Sequence, residues 1–186
     1  MFNSSSGKIS LRALVYASLA LAIAFALSYA KLFPMPQGGS VTLMSMFFVS
    51  LVGFWFGPVV GIAAGMAYGF LQLIQSPYVV HPVQLLLDYP IAFGLLGLSG
   101  FFRNIKGGLY IGFAVGCIGR FAASTVAGWI FFIGINTPGS LWASAAYNGG
   151  YIFAEMALSL VIMSTMPIHN ALKYVTGLIN QTSNPN

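Results

Sequence analysis

Carboxylates are almost absent from this chain. Of its 186 residues only Asp88 and Glu155 are acidic, against seven Lys and Arg, and charged residues make up 5% of the whole. A soluble domain carries about a quarter charged residues. With 58% hydrophobic residues, a soluble fold would lack the polar surface to stay in solution, so the chain reads as an integral membrane protein. A single cysteine, Cys117, excludes an internal disulfide. It lies in an apolar run and reads as a small buried hydrophobe. His81 and His169 are far apart and without ligand partners, so no metal site is expected. The basic residues form no stripe that would follow a phosphate backbone, which argues against nucleic acid. No G-x-x-x-x-G-K-[ST] run is present, so neither a nucleotide site nor a cofactor is expected. An enzyme would need a nucleophile–base pair or a metal cluster, and only scattered serines and the distant histidines are on offer.

What is abundant is apolar sequence in long runs. Each span needs roughly 20 residues, and the length suits one all-α domain of six transmembrane helices. Span 1 is "ALVYASLALAIAFALSYA", with a cleaved signal as the alternative reading. After the loop "KLFPMPQGGS", span 2 covers Val41 to Phe56. Pro58 opens span 3, which runs to about Gln75. Span 4 follows "SPYVVHP", from about Val83 to Phe102. Span 5 runs from Leu109 to Ile133, and span 6 from Leu141 to Met166, with Pro167 marking its end. The expected division is a cytoplasmic N-terminus over 1–12, a transmembrane domain over 13–166 and a cytoplasmic tail over 167–186 that closes in the frayed polar "NQTSNPN". Lys8, Arg12, Arg103, Lys106 and Lys173 fall on one side and only Lys31 on the other, which puts both ends in the cytoplasm. "PMPQGGS", "SPYVVHP" and "NTPGS" then face outside. Trp55, at the inner end of span 2, reads as an interfacial anchor, and His81 as a cap or loop residue.

Ionisable residues inside spans are costly and point to function. Arg120 and Glu155 each lie about 18 Å from the cytoplasmic ends of their helices, at 1.5 Å per residue. Opposite charges at one depth predict an ion pair holding spans 5 and 6 in register. Asp88 lies only about 9 Å below the outer end of span 4. His81, Gln84 and Asp88 share a helix face. Asn148 falls near the depth of Asp88, with Tyr89, Tyr147 and Trp142 close to that level. The outer halves of spans 4 and 6 therefore form a candidate polar, aromatic pocket. A lone carboxylate among aromatic rings suits an organic cation; the structural alternative is a buried hydrogen-bond partner of Gln84. In span 1, Ala13 and Ala17, Ala20 and Ala24, and Ala22 and Ala26 have small-xxx-small spacing, suited to close packing or to docking a partner.

"MPQGGSVTL", followed downstream by "HPVQLLLDYPIAFGLLGLSG", resembles the ThiT (YuaJ) family, the thiamine-specific S-components of energy-coupling factor (ECF) transporters. The resemblance runs from span 1 to span 6. It implies a substrate-binding subunit in a bacterial cell membrane that captures thiamine from outside. It also implies docking on a transmembrane coupling subunit with two ATPase subunits, with the span 1 alanines at the docking surface. Asp88 with Tyr89 matches the family's acid–tyrosine pair, and Tyr78, Asn148 and Arg120 match further binding positions. Ser124 stands where histidine is frequent, Phe132 where some members have tryptophan, and Ala143 where some have tyrosine. The reading is a six-helix bundle in which Asp88 faces the thiazolium charge. Tyr89, Asn148, Tyr78, Tyr147, Ser124 and Gln84 would line the site, and Trp129 and Phe132 would cover a ring. Gln37, Gly38 and Gly39 would form a lid. The alternatives left open are an S-component or a solitary secondary transporter for a thiamine precursor or another small vitamin.

Overall fold

The computed structural model describes residues 11–183. The expected N-terminal segment with Lys8, and the end of the polar tail, lie outside the described residues. Helices α1 (Leu11–Ser28), α3 (Pro58–Gln75), α4 (Pro82–Phe102), α5 (Gly108–Ile133) and α6 (Ser140–Ser164) are each long and apolar enough to cross a membrane. This is an all-α, multi-pass membrane architecture. Between α1 and α3 lie a short hairpin, β1 (Lys31–Pro34) with β2 (Ser40–Thr42), and helix α2 (Ser45–Phe56). A last helix, α7 (Met166–Ser183), follows α6.

Span 2 is shorter than expected. Residues Val41 and Thr42 belong to β2, and Met44 takes a left-handed backbone (φ 60) before α2 begins. The 12 residues of α2 reach only about 18 Å at 1.5 Å per residue. It is buried nearly all round, from Met46 and Phe47 to Val52 and Trp55, so it is a core helix. Phe47 meets Phe113 of α5 edge-on, with centroids 5.6 Å apart.

The glycine spacing of α3 sets the closest helix contacts. Gly61, Gly65 and Gly69 are buried on one face. A Cβ on Gly61 would sit 3.0 Å from Gly97 Cα of α4, so only glycine lets these backbones meet. Within α4, Pro90 has no N–H to give to the helical ladder. There the helix widens into a π turn over Leu87–Ile91, and this turn carries Asp88 and Tyr89.

Two expectations near the last helix are corrected. Of the run "NQTSNPN", expected to fray, residues 180–183 continue α7, which is helical to Ser183. Leu172 and Val175 pack on the core, and Ile179 is buried. Trp55 is not an interfacial anchor. It is buried, and its indole N–H donates to Thr176 Oγ1 of α7 at 3.1 Å. The alanines of α1 are also divided differently from the docking expectation. Ala17, Ala20 and Ala24 are buried inside the molecule, and Tyr68 of α3 donates to Ala24 O at 3.1 Å. The exposed small residues of the helix are Ser18, Ala22 and Ala26, while Ala13 is half-buried.

Candidate functional site

Both carboxylates of the chain line one cavity. It lies where the hairpin, α3, α4, α5 and α6 meet, and its free volume is about 100 Å³. The π turn presents Asp88 to it. Gln84, buried one turn earlier, donates from Nε2 to Asp88 Oδ2 at 2.7 Å and to Tyr78 O at 3.2 Å. Val80 N in turn donates to Gln84 Oε1 at 3.2 Å. Gln84 therefore uses both ends of its amide to fix Asp88 against the connection before α4. The structural partner and the cavity role expected for Asp88 coexist: one oxygen is held and the side chain still reaches the cavity.

Tyr89 is held by the same connection. Its hydroxyl donates to Ser76 O at 3.0 Å and accepts from Tyr78 N at 2.9 Å. Tyr78 stacks on Phe132 of α5, centroids 5.5 Å apart and planes 29° apart, so two expected aromatic residues form one wall. His81 accepts from Val83 N at 3.1 Å, which makes it the cap of α4.

On the opposite wall, Asn148 of α6 is buried and saturated. Its Nδ2 donates to Ser124 O at 3.2 Å and Ser144 O at 3.0 Å, and its Oδ1 accepts from Tyr151 at 2.9 Å. Tyr147 reaches the hairpin: its hydroxyl donates to Pro36 O and accepts from Gly39 N at 3.1 Å. Gln37, Gly38 and Gly39 are thus held at the wall of the cavity. The glycines there meet geometric demands. Gly38 takes φ 91, and a Cβ on Gly39 would lie 2.7 Å from the Tyr147 hydroxyl.

The expected Arg120–Glu155 ion pair is not formed. Glu155, 2% exposed, accepts from Thr42 N at 2.9 Å and Thr42 Oγ1 at 2.6 Å on one oxygen. Its other oxygen accepts from Ser45 Oγ and Met46 N, both at 3.0 Å. Equal depth along two helices does not fix the direction in which side chains point. The N-terminus of α2 offers free N–H groups and a positive dipole end, which suit a carboxylate. Arg120 instead lays its guanidinium over Phe93, 4.0 Å from the ring centroid, with Tyr151 at 6.0 Å. Its Nε is buried without a hydrogen-bond partner. Arg120 and Glu155 both line the cavity, so each belongs to the site separately.

Trp129 is the expected site residue that the fold leaves off the cavity wall. It lies in the π turn of α5, Gly128–Ile133, and the wider turn brings Phe132 to the cavity in its place. Sequence reasoning missed Thr42, Gln72, Phe93 and Tyr151, which also line it. Polar residues inside a span give a signal for Thr42 and Gln72; nothing in the sequence distinguishes Phe93 and Tyr151 from other core aromatics.

Comparison with known proteins converges on one family. The family model described as thiamine transporter protein (Thia_YuaJ) matches residues 14–175. The thiamine transporter ThiT of Bacillus subtilis (strain 168) is 33% identical over 145 residues, 69% of this chain and 75% of that protein. The thiamine transporter ThiT of Lacticaseibacillus paracasei is 28% identical over 122 residues, 55% of this chain and 61% of that relative.

Proposed function

We propose, starting from the fact that the chain belongs to the thiamine transporter protein (Thia_YuaJ) family, that it is the thiamine-binding membrane subunit of an ECF-type transporter. The family is one of transport proteins, not enzymes. The observation that carries the reading is the placement of the chain's whole acidic complement in one aromatic-lined cavity. Burying carboxylates in a membrane is expensive, and a bound cation would offset that cost where the ligand sits. Thiamine is a permanent cation with two flat rings, which matches a carboxylate beside stacked aromatics. Asp88 would face the thiazolium charge. Tyr78, Phe132 and Tyr89 would contact the rings, and Asn148, Tyr147, Ser124 and Gln84 would shape the polar wall.

The cavity of about 100 Å³ is below the ~300–1,000 Å³ typical of small-molecule sites. Room for thiamine would come from the hairpin tip at Gln37, Gly38 and Gly39 moving outward, which is the lid role. Both termini would lie in the cytoplasm of a bacterial cell. Uptake would be driven by a coupling subunit with two ATPase subunits, as the family resemblance implies, and those subunits would carry the phosphate-binding loops. The docking face would use the exposed stripe of α1 around Ser18, Ala22 and Ala26 with Leu14, Leu19 and Ile23, because Ala17, Ala20 and Ala24 are taken up by internal packing. An apolar groove of about 360 Å³ between α1, α2 and α7 adjoins that stripe and shares Leu19 and Ile23 with it.

The test is calorimetric titration of the detergent-purified protein with thiamine. Saturable binding at submicromolar concentration supports the reading. Silence with thiamine, but heat with a precursor or another vitamin, would move the ligand. Uptake into liposomes by this chain alone, without ATP, would favour a solitary transporter.

A further inference from the structure

The hairpin that lines the cavity is fastened at its tip and on both strands of its base. At the tip Tyr147 holds Pro36 and Gly39. At the base, where Lys31 pairs with Thr42, Lys31 Nζ donates to Ser76 Oγ at 3.1 Å. Beside it, where β2 passes into α2, the backbone takes the left-handed turn at Met44. Such a conformation is uncommon for a non-glycine residue and persists only where its surroundings hold it. Here Met44 is buried in the core and its N–H donates to Thr42 O at 3.2 Å, and one side chain ties the residues on either side of it. Glu155 gathers four donors from the segment Thr42 to Met46 on its two oxygens, and Thr42 Oγ1 also lies 2.6 Å from Ser45 Oγ. No side chain on the N-terminal side of α2 caps it; Glu155, from the distant α6, does so in its place.

We infer that Glu155 is a positioning residue for ligand retention: it anchors the β2 side of the base of the lid hairpin to α6 and so sets how firmly the lid closes over the bound cation. This inference rests on the proposed binding role of the cavity. It assigns the second acidic residue a job that Arg120 does not satisfy. Because Glu155 also lines the cavity, the site and the β2 base of the lid share a single side chain. Loss of the carboxylate releases β2 and the start of α2 together. The tip bonds to Tyr147 and the Lys31–Ser76 bond remain, but the β2 strand of the hairpin is no longer fixed at its base.

The experiment uses the unsubstituted full chain as parent and reads amide hydrogen exchange over the hairpin, residues 31–42. In this parent, saturating thiamine should slow exchange there at least tenfold, and calorimetry should show binding. Glu155→Gln should still bind at raised concentration, but saturating thiamine should slow exchange over the same residues less than threefold. A pair at Thr42 guards against a variant that fails to fold. Thr42→Ser keeps the hydroxyl donor to Glu155 and should protect like the parent. Thr42→Val keeps the shape but loses the donor and should protect poorly. Mere packing at position 42 gives the reverse order, and that order would overturn the inference. So would full protection in Glu155→Gln with thiamine bound. A parent that binds no thiamine would instead overturn both the proposed function and the positioning role resting on it.

Discussion

At the scale of single residues, the proposed site separates Asp88, assigned to face a bound cation, from Glu155, which accepts hydrogen bonds from the start of α2. Asp88→Asn keeps the Gln84 hydrogen bond within reach but removes the negative charge from the cavity. Breaking one half of a desolvated charge pair costs about 3 kcal/mol or more, so thiamine affinity in that variant should fall by roughly two orders of magnitude. Calorimetry on parent and variant checks this, and an unchanged affinity would remove Asp88 from the cation site. Gly39→Ala tests the lid's fit. The added methyl would lie 2.7 Å from the Tyr147 hydroxyl and 3.0 Å from the Tyr151 ring. Over-packing of this kind costs on the order of 1–3 kcal/mol. The expected outcome is weaker thiamine binding with little change in secondary structure by circular dichroism. Asp88 and Asn148 were legible in the sequence as polar residues within apolar spans, and Gly38 and Gly39 as a glycine pair in a loop, whereas Tyr78 came from the family resemblance alone. Glu155 was legible as important but not in its role. Counting along a helix gives depth, and the ion pair with Arg120 was inferred from depth alone. Which way a side chain points depends on neighbours distant in sequence, here Thr42 and Met46.

At the scale of elements, the long apolar runs of α1, α3, α4, α5 and α6 announced themselves, because a bilayer core demands such runs. The hairpin and the short α2 did not. Val41 and Thr42 continue the apolar run into α2, so hydropathy alone merges them into one span; strand pairing with Lys31 and Phe33 separates them. The last helix was also legible in retrospect: Ile168, Leu172, Val175 and Ile179 recur at helical spacing, on a segment too polar to cross a membrane. Its attachment is testable. Trp55→Phe removes the indole donor to Thr176 while leaving an aromatic ring in place. A net hydrogen bond contributes about 1 kcal/mol, so the melting temperature in detergent should drop by a few degrees at most, as read by a thermal unfolding scan. If Trp55 were an interfacial anchor instead, removing its N–H would leave detergent-phase stability unchanged.

At the scale of the whole molecule, the chain is a bundle that places both its carboxylates and Arg120 around one small cavity. The tryptophans offer an internal check on that layout. Trp55 is buried against α7, Trp142 is exposed and Trp129 lies off the cavity wall. Intrinsic tryptophan fluorescence should therefore respond weakly to thiamine. Phe132→Trp places an indole on the wall beside Tyr78, and saturating thiamine should quench it strongly. Transport is a second property of the whole. Uptake into liposomes should require the coupling subunit, both ATPase subunits and internal ATP. The central claim is that this cavity binds thiamine through the charge of Asp88. Its most direct measurement is a calorimetric titration of the purified protein and of Asp88→Asn with thiamine. Submicromolar, one-to-one binding in the parent and a loss of roughly a hundredfold in the variant is the expected result. No heat in the parent, or equal affinities in the two proteins, would contradict it.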